Sequence, residues 1–135
     1  MTQFYIGVKI IEAWEQEKDG QLGYGVKYPD GYISWSPKGQ FERAYYPMGQ
    51  DPSKISEEMV EGFLGEKIAQ KFDSKTTLLK AELITGFTQY EVSSCVDPAN
   101  FSVSIGEGIC LERIKDTIWK CLGFVLQWGR FGLKK

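Results

Sequence analysis

GYGVKYPDGYISWSPKGQFERAYY, the stretch from Gly23 to Tyr46, decides how the chain begins to fold. Asp30-Gly31 is a pair that accepts positive φ at both central turn positions, so the runs on either side are predicted to pair as antiparallel strands. Ser36-Pro37 predicts a helix start, because a serine oxygen caps free N–H groups and proline suits the first helical position. The stretch therefore predicts a β-hairpin followed directly by a helix.

Composition and charge limit the kinds of partner that the chain can have. Of its 135 residues, 42% are hydrophobic and 14% aromatic, which is typical of a packed globular protein. Sixteen basic and eighteen acidic residues give a net charge of −2, so duplex nucleic acid is a poor candidate ligand. A small anion held by a few local cations is still allowed. No apolar run approaches the roughly 20 residues that span a bilayer, so we expect no membrane partner.

The absence of histidine is the strongest negative signal in the sequence. It excludes Ser-His-Asp and Cys-His catalysis, histidine metal ligation and an imidazole general base. The chain also lacks a CxxC pair, a phosphate-binding GxxxxGK[ST] loop and a GxGxxG turn. Three cysteines in apolar contexts favour reduced, buried thiols over a disulfide framework. We therefore expect a protein that is not an enzyme and that uses no cofactor and no metal.

Hydrophobic periodicity predicts a first module over residues 1–50. Phe4 to Ile10 alternates between apolar and polar residues, as a half-buried strand does. The polar stretch from Glu15 to Gly23 is predicted to be a loop, which would make the first module a three-stranded meander. Its helix is predicted over Pro37 to Tyr46, with an apolar side on the sheet.

The second module is predicted over residues 51–135, and the two modules could form one compact unit. An apolar stripe with a spacing of four predicts a helix from Ser56 to about Phe72. Thr76 to Val96 reads as a hairpin around Thr85-Gly86. Asp97-Pro98 predicts the start of the longest helix, up to Gly123. The predicted fold class is α+β: a small antiparallel meander plus helix, followed by a helix, a β-hairpin and a long C-terminal helix.

The first hairpin offers a candidate ligand-binding face. A two-residue turn at Asp30-Gly31 places Val26 opposite Trp35 and turns Trp35 under the helix. The opposite face carries rings for stacking, ammonium groups for phosphate and hydroxyls for hydrogen bonds. An ordinary solvated sheet face or a dimer contact is the alternative interpretation. The residues predicted for this face are Tyr5, Lys9, Lys27, Tyr32 and Ser34.

A second candidate site lies before the long helix, where Ser93, Ser94 and Asn100 cluster. Free N–H groups at a helix start favour an anion. However, Asp97 as the predicted cap would occupy that position and repel phosphate. The sequence alone leaves both interpretations open.

Several dipeptides in the second half occur in a specific order at close spacing. These are Gly86-Phe87, Ser93-Ser94-Cys95-Val96-Asp97-Pro98, Asn100-Phe101, Ile105-Gly106, Ile118-Trp119 and Gly123-Phe124. Over roughly residues 55 to 128 the chain resembles a family of tailed-phage proteins named for genes 49 and 66 of two phages. The resemblance implies a phage origin and no particular mechanism. Thr85 stands where that family usually has Asn, and threonine tolerates positive φ poorly.

The first half is similar to another phage module, of the form YIGxK…GYxSWSPKxxFExAY. The matching segments are Tyr5 to Lys9, Gly31 to Lys38, Phe41-Glu42 and Ala44-Tyr45. That module is often joined to other phage domains, including the second Thoeris anti-defence family, whose members resemble sponges for cyclic nucleotide immune signals. The resemblance implies a counter-defence role by association.

These observations lead to two functional hypotheses. The first is a phage counter-defence protein of the host cytoplasm that sequesters a small cyclic nucleotide signal without catalysis, as a homo-oligomer. The alternative is a phage accessory module that binds a host protein or serves virion assembly. The apolar residues of the tail FVLQWGRFGLKK, which follows Gly123, motivate this alternative.

Overall fold

The computed structural model describes residues 1–135. The chain forms two compact units, one made of Met1–Lys54 with Gly123–Lys135 and the other of Ile55–Leu122. Each unit contains a three-stranded antiparallel sheet and helices, so the α+β class is confirmed. No helix has the length and apolar character that crossing a bilayer requires.

The first unit contains the predicted three-stranded meander. Strands β1 (Glu12–Glu15), β2 (Gly23–Lys27) and β3 (Ile33–Pro37) pair in the order β1-β2-β3. The prediction of a strand over Phe4 to Ile10 is wrong, because residues 1–11 pair with no strand. Its alternation has another cause.

Val8 and Ile10 are half-buried and pack on a helix rather than in a sheet. A Cβ on Gly129 would stand 3.2 Å from Val8 Cγ1 and 3.0 Å from Ile10 Cδ1. The glycine thus lets the extended segment lie close to the helix. Alternate side chains of any extended segment point to one side, so alternation alone does not require a sheet.

The first hairpin turn forms one residue earlier than predicted. Gly31 N–H donates to the Tyr28 carbonyl at 2.9 Å, and only Gly31 in this turn has a positive φ, of 90°. Proline fixes φ near −65°, which suits the first central position of a type I turn. Pro29 and Asp30 are therefore the two central residues of the turn. The resulting register pairs Lys27 with Ile33 and Gly25 with Trp35.

This one-residue shift puts Trp35 on the opposite face from the one predicted. The helix packs on the face of Tyr24, whose ring stacks on Phe41 at 4.2 Å. Trp35 lies on the other face against Gly23, and its indole N–H donates to the Gln16 carbonyl at 2.8 Å. Trp35 is therefore half-buried and is not covered by the helix.

Helix α1 (Lys38–Ala44) is shorter than predicted at both ends. Pro37 is the last residue of β3 and occupies the N-cap position, where no side chain caps the helix. The prediction that Ser36 caps this helix is wrong. Phe41 is buried and Tyr45 stacks on it at 5.0 Å, so the predicted inward side of the helix is confirmed.

The second unit begins with helix α2 (Glu57–Phe63), which ends well before Phe72. Ser56 caps it by accepting from Met59 N–H at 3.2 Å. The chain then forms strand β4 (Leu64–Asp73), so the predicted helix is wrong beyond Phe63. A spacing of four is also two strand periods, and the apolar positions therefore fit both elements.

Strands β5 (Thr76–Leu83) and β6 (Thr88–Ser94) confirm the second hairpin, and the sheet order is β4-β5-β6. Its turn repeats the geometry of the first one. Gly86 has φ 88° and its N–H donates to the Leu83 carbonyl at 2.8 Å. Thr85 therefore does not need a positive φ.

Helix α3 (Val103–Phe131) starts later and ends later than predicted. Asp97 caps a separate 3-10 turn, Pro98–Asn100, by accepting from Ala99 N–H at 2.9 Å. The expectation that Asp97 starts the long helix is therefore wrong, as is the predicted end at Gly123. The buried residues of α3 recur every fourth position along one side: Gly106, Cys110, Ile114, Ile118 and Leu122.

Candidate functional site

The first unit gathers three of the predicted ligand residues around Tyr28. Lys9 Nζ stands 4.4 Å from the centre of the Tyr28 ring, and the Tyr32 ring stacks on it at 6.0 Å. Ser34 Oγ donates to the Tyr28 hydroxyl at 3.4 Å. We call these four residues the tyrosine cluster. The Tyr28 ring is already engaged by two neighbours, which leaves mainly the exposed Tyr32 ring for a ligand.

The other two residues predicted for that face lie elsewhere. Tyr5 is 85% exposed, and its hydroxyl accepts from the Gln3 amide. Lys27 is opposite Ile33 and so belongs to the sheet face that carries Trp35. The shifted register separates Lys27 from Ser34. The face as predicted is therefore not assembled.

The second unit contains a cleft of about 310 Å³, including its open mouth, beside the start of α3. All three residues predicted for the second site line it, together with Lys75, Thr77 and Phe101. The first turns of α3 form the opposite wall through Ser102, Ile105, Gly106 and Ile109. We call this feature the helix-start cleft.

The floor of the helix-start cleft is a row of cross-strand neighbours. Thr77 of β5 pairs with Lys71 of β4 on one side and with Ser93 of β6 on the other. Directly opposed residues of antiparallel strands point to the same face. Gly106 allows α3 to pack closely on these residues, because a Cβ at that position would overlap the Thr77 hydroxyl.

The Thr77 hydroxyl is the one buried side-chain polar atom without a hydrogen-bond partner. Thr77 is only 1% exposed. Its neighbour Thr76 is also buried, but its hydroxyl is paired with Ser94 Oγ at 2.7 Å. Buried polar groups are nearly always satisfied, so the unpaired Thr77 hydroxyl requires an explanation.

The charges around the helix-start cleft favour an anion. Lys75 is the single charged residue in its lining, and Lys71 Nζ stands 5.2 Å from the centre of the Phe101 ring. Helix α3 is capped by a neutral hydroxyl, because Ser102 Oγ accepts from Ile105 N–H at 3.3 Å. The Asp97 carboxylate is bound to the 3-10 turn instead.

Two further titratable groups near the helix-start cleft have structural roles. Asp73 Oδ1 accepts from the Lys75 N–H at 3.0 Å, and this bond, with others from Thr76, holds the pKa of Asp73 below its ordinary value. Cys110 is buried below the cleft, and burial raises the pKa of its thiol. A raised pKa keeps the thiol protonated and unreactive.

Sequence reasoning missed Tyr28 in the first unit and Lys71, Lys75, Thr77 and Phe101 in the second. Lys71 and Thr77 become neighbours only when Leu64–Asp73 is a strand, and the predicted helix concealed that pairing. No local signal could have revealed it, because the apolar residues of this segment recur at every fourth position and fit a helix as well as a strand. No group of three or more Cys, Asp and Glu side chains is placed to hold a metal ion.

Residues 45–129 match the family model described as Phage protein (N4 Gp49/phage Sf6 gene 66) family. The chain belongs to this family. The match contains the whole helix-start cleft and agrees with the resemblance noted over residues 55 to 128. Comparisons with curated proteins and with solved structures gave no match. The chain is thus a bacteriophage protein of the gp49/66 family.

Proposed function

We propose that this phage protein binds a small cyclic nucleotide immune signal in the host cytoplasm and sequesters it without catalysis. The observation that carries the proposal is the helix-start cleft, where Ser93, Ser94 and Asn100 meet beside Lys75 and Phe101. Hydroxyls, an amide, an ammonium group and a ring are the groups that bind phosphate, sugar and base. The similarity of the first half to a module found beside Thoeris anti-defence domains supports the counter-defence role.

The binding free energy that a sponge needs leads us to propose that the protein is a homo-oligomer. A sponge with nanomolar affinity needs about 12 kcal/mol of binding free energy, whereas stacking on one ring supplies about 1–3 kcal/mol per base. The enclosed space of the cleft is only about 70 Å³, well below the range of about 300–1,000 Å³ for small-molecule pockets. A second copy of the chain that closes the cleft would supply the missing contacts.

The absence of catalysis is part of the proposal. The chain has no histidine, and the thiol that lines the cleft, Cys95, donates to the Asp97 carbonyl at 3.3 Å rather than to a basic side chain. A cysteine nucleophile needs a neighbouring base or another group that favours the thiolate. Retention of the ligand unchanged is therefore the expected outcome.

A ligand-retention experiment tests the function directly. The purified protein is incubated with cyclic nucleotides and cyclic ADP-ribose isomers, separated from free ligand and then denatured. We expect one of these compounds to be released with its mass unchanged. Retention of no compound would contradict sequestration, and conversion of a compound to a lighter product would indicate a hydrolase instead.

A protein-binding function is the second candidate, because part of the apolar tail is exposed. Phe124 and Phe131 are 70% and 65% exposed on α3. Exposed aromatic residues of this density commonly mark an interface. Affinity capture from host lysate tests this candidate, with Phe124→Ser/Phe131→Ser as the matched variant. A stoichiometric host protein that the wild type captures and the variant does not would favour it.

A further inference from the structure

We infer that the helix-start cleft is an anion site whose ligand class is a phosphate group carried on a planar ring system, one such unit per chain. The inference rests on the proposed function and deepens it by assigning the recognition of phosphate to particular residues. Its starting point is the convergence of two independent features, the N-terminus of α3 and the unpaired hydroxyl of Thr77.

The helix contributes the first feature. Helix α3 has 29 residues, so its N-terminus carries the full partial positive charge of a helix dipole. Its first turn lines the cleft, and its cap is the uncharged Ser102. Its N–H groups at Ile105 and Gly106 already donate to Ser102, so the helix contributes the positive end of its dipole, and no carboxylate lies in the lining to oppose an anion.

Thr77 contributes the second feature. Leaving a buried hydroxyl unpaired costs about 1–3 kcal/mol, and valine has nearly the same shape at no such cost. The hydroxyl lies against Gly106, where a Cβ would overlap it, and Thr77 also lines the cleft. A phosphate oxygen that reaches Thr77 from the cleft would give the hydroxyl its missing partner.

Lys75 and Phe101 indicate how the rest of the ligand is held. Lys75 supplies the cation for a phosphate oxygen, and Ser93 lies beside Thr77 in the floor. Phe101 is half-buried, and Lys71 Nζ lies over one face of its ring. A nucleobase that stacks on this ring would lie near two lysines. The enclosed space of about 70 Å³ is small, so a phosphate group would occupy it while the ring lies at the open mouth.

Isothermal titration with four probes tests this assignment: adenosine 5′-monophosphate, 3′,5′-cyclic AMP, adenosine and inorganic phosphate. Lys75→Gln and Thr77→Val are compared with wild type. Lys80→Gln removes the same charge from the other face of β5, and Thr77→Ser restores the hydroxyl. We expect the phosphate-bearing nucleotides to bind, adenosine to bind at least tenfold more weakly, and Lys75→Gln to weaken binding about tenfold.

Thr77→Val distinguishes a ligand contact from a packing defect. We expect this variant to weaken nucleotide binding while the unliganded protein keeps or gains thermal stability. Thr77→Ser and Lys80→Gln should bind as wild type does. Unchanged affinity in both Lys75→Gln and Thr77→Val would overturn the site, although the sequestering function would survive at another site.

The probes separate the remaining outcomes. Equal binding of adenosine and its monophosphate would overturn phosphate recognition. Binding of inorganic phosphate alone, weakened by Lys75→Gln, would support the anion site but overturn the nucleotide class. Binding of none of the probes would overturn the assignment of the cleft, and the ligand-retention experiment with cyclic signals would then decide the proposed function separately.

Discussion

Gly106 and Thr77 meet where helix α3 crosses strand β5, and this contact sets the distance between helix and sheet. A Cβ at residue 106 would overlap the Thr77 side chain, whereas a Cβ at Gly108 would meet nothing within 4 Å. The two glycines are only two residues apart on the same helix. The close approach of α3 to Thr77 therefore requires glycine at position 106. No contact in the structure requires glycine at position 108.

The pair Gly106→Ala and Gly108→Ala tests this difference. We expect Gly106→Ala to lower the free energy of unfolding by about 1–3 kcal/mol through overpacking. Gly108→Ala should raise it by about 0.5–1 kcal/mol, because alanine is the better helix former. Urea denaturation of both variants provides the measurement. Equal effects of the two substitutions would contradict the close approach.

Two aspartates in turns predict a loss of stability in acid. Hydrogen bonds from Ser53 lower the pKa of Asp51, and those from Lys75 and Thr76 lower the pKa of Asp73. A carboxyl whose folded pKa lies below its unfolded value of 3.8 stabilises the protein above that pH. The contribution is lost as the pH falls through the folded pKa.

We therefore expect Asp51→Asn/Asp73→Asn to melt at a lower temperature than wild type near pH 6. The difference should shrink as the pH falls below 3.8 and close once the pH has passed through the folded pKa values and the wild-type carboxyls are protonated. Thermal melts across this range provide the measurement, and Asp116→Asn, on α3, serves as the control for removed charge. A difference that stays constant with pH would contradict the two hydrogen-bonded carboxylates.

At the scale of elements, α3 continues through Gly123 to Phe131. Gly123 has no positive φ, and a Cβ there would meet nothing within 4 Å. Gly132, with φ 67° and its N–H donating to the Trp128 carbonyl at 2.8 Å, follows the end of the helix. The two glycines thus differ in role although both stand among apolar residues.

Alanine substitutions at these two glycines locate the end of α3 in solution. Gly123→Ala should stabilise the protein by about 0.5–1 kcal/mol, as expected in a helix interior. Gly132→Ala should destabilise it by about 1 kcal/mol, because a left-handed cap disfavours a Cβ. Chemical denaturation measures both. Destabilisation by Gly123→Ala would place the helix end at that glycine instead.

At the scale of the whole molecule, distant segments of sequence form one compact unit. Residues 123–135 belong to the same unit as residues 1–54, and Val8 and Ile10 pack against Gly129. Phe4 and Ile6, in the same extended segment, are 102% and 83% exposed. The alternating segment therefore contains two residues that pack on α3 and two that do not.

Hydrogen exchange tests this contact with matched double variants. In Val8→Asn/Ile10→Asn we expect faster amide exchange over residues 124–131, because the apolar contact with α3 is lost. Phe4→Asn/Ile6→Asn should leave exchange in that segment unchanged. Equal acceleration by both variants, or by neither, would contradict the packing of Val8 and Ile10 on the helix.

Local chemistry explains which elements were predictable from the sequence. The hairpins at Gly31 and Gly86, the helix start near Ser56 and the inward position of Phe41 each depend on a few adjacent residues. The clustering of Ser93, Ser94 and Asn100 was equally predictable, because the three lie within eight positions of one another. Strand β4 was not predictable from the sequence, because apolar residues at every fourth position fit a helix and a strand equally well.

Sequence by itself determined the α+β class, the phage family, the missing histidine chemistry and the glycine positions of both turns. Tertiary structure alone decided the strand state of Leu64–Asp73 and the meeting of Thr77 with Gly106. The physical reason is the distance along the sequence between the residues that interact. Turns, caps and the hairpin register that follows from a turn are set by neighbours along the chain, whereas the choice between helix and strand depends on burial against segments far away in sequence.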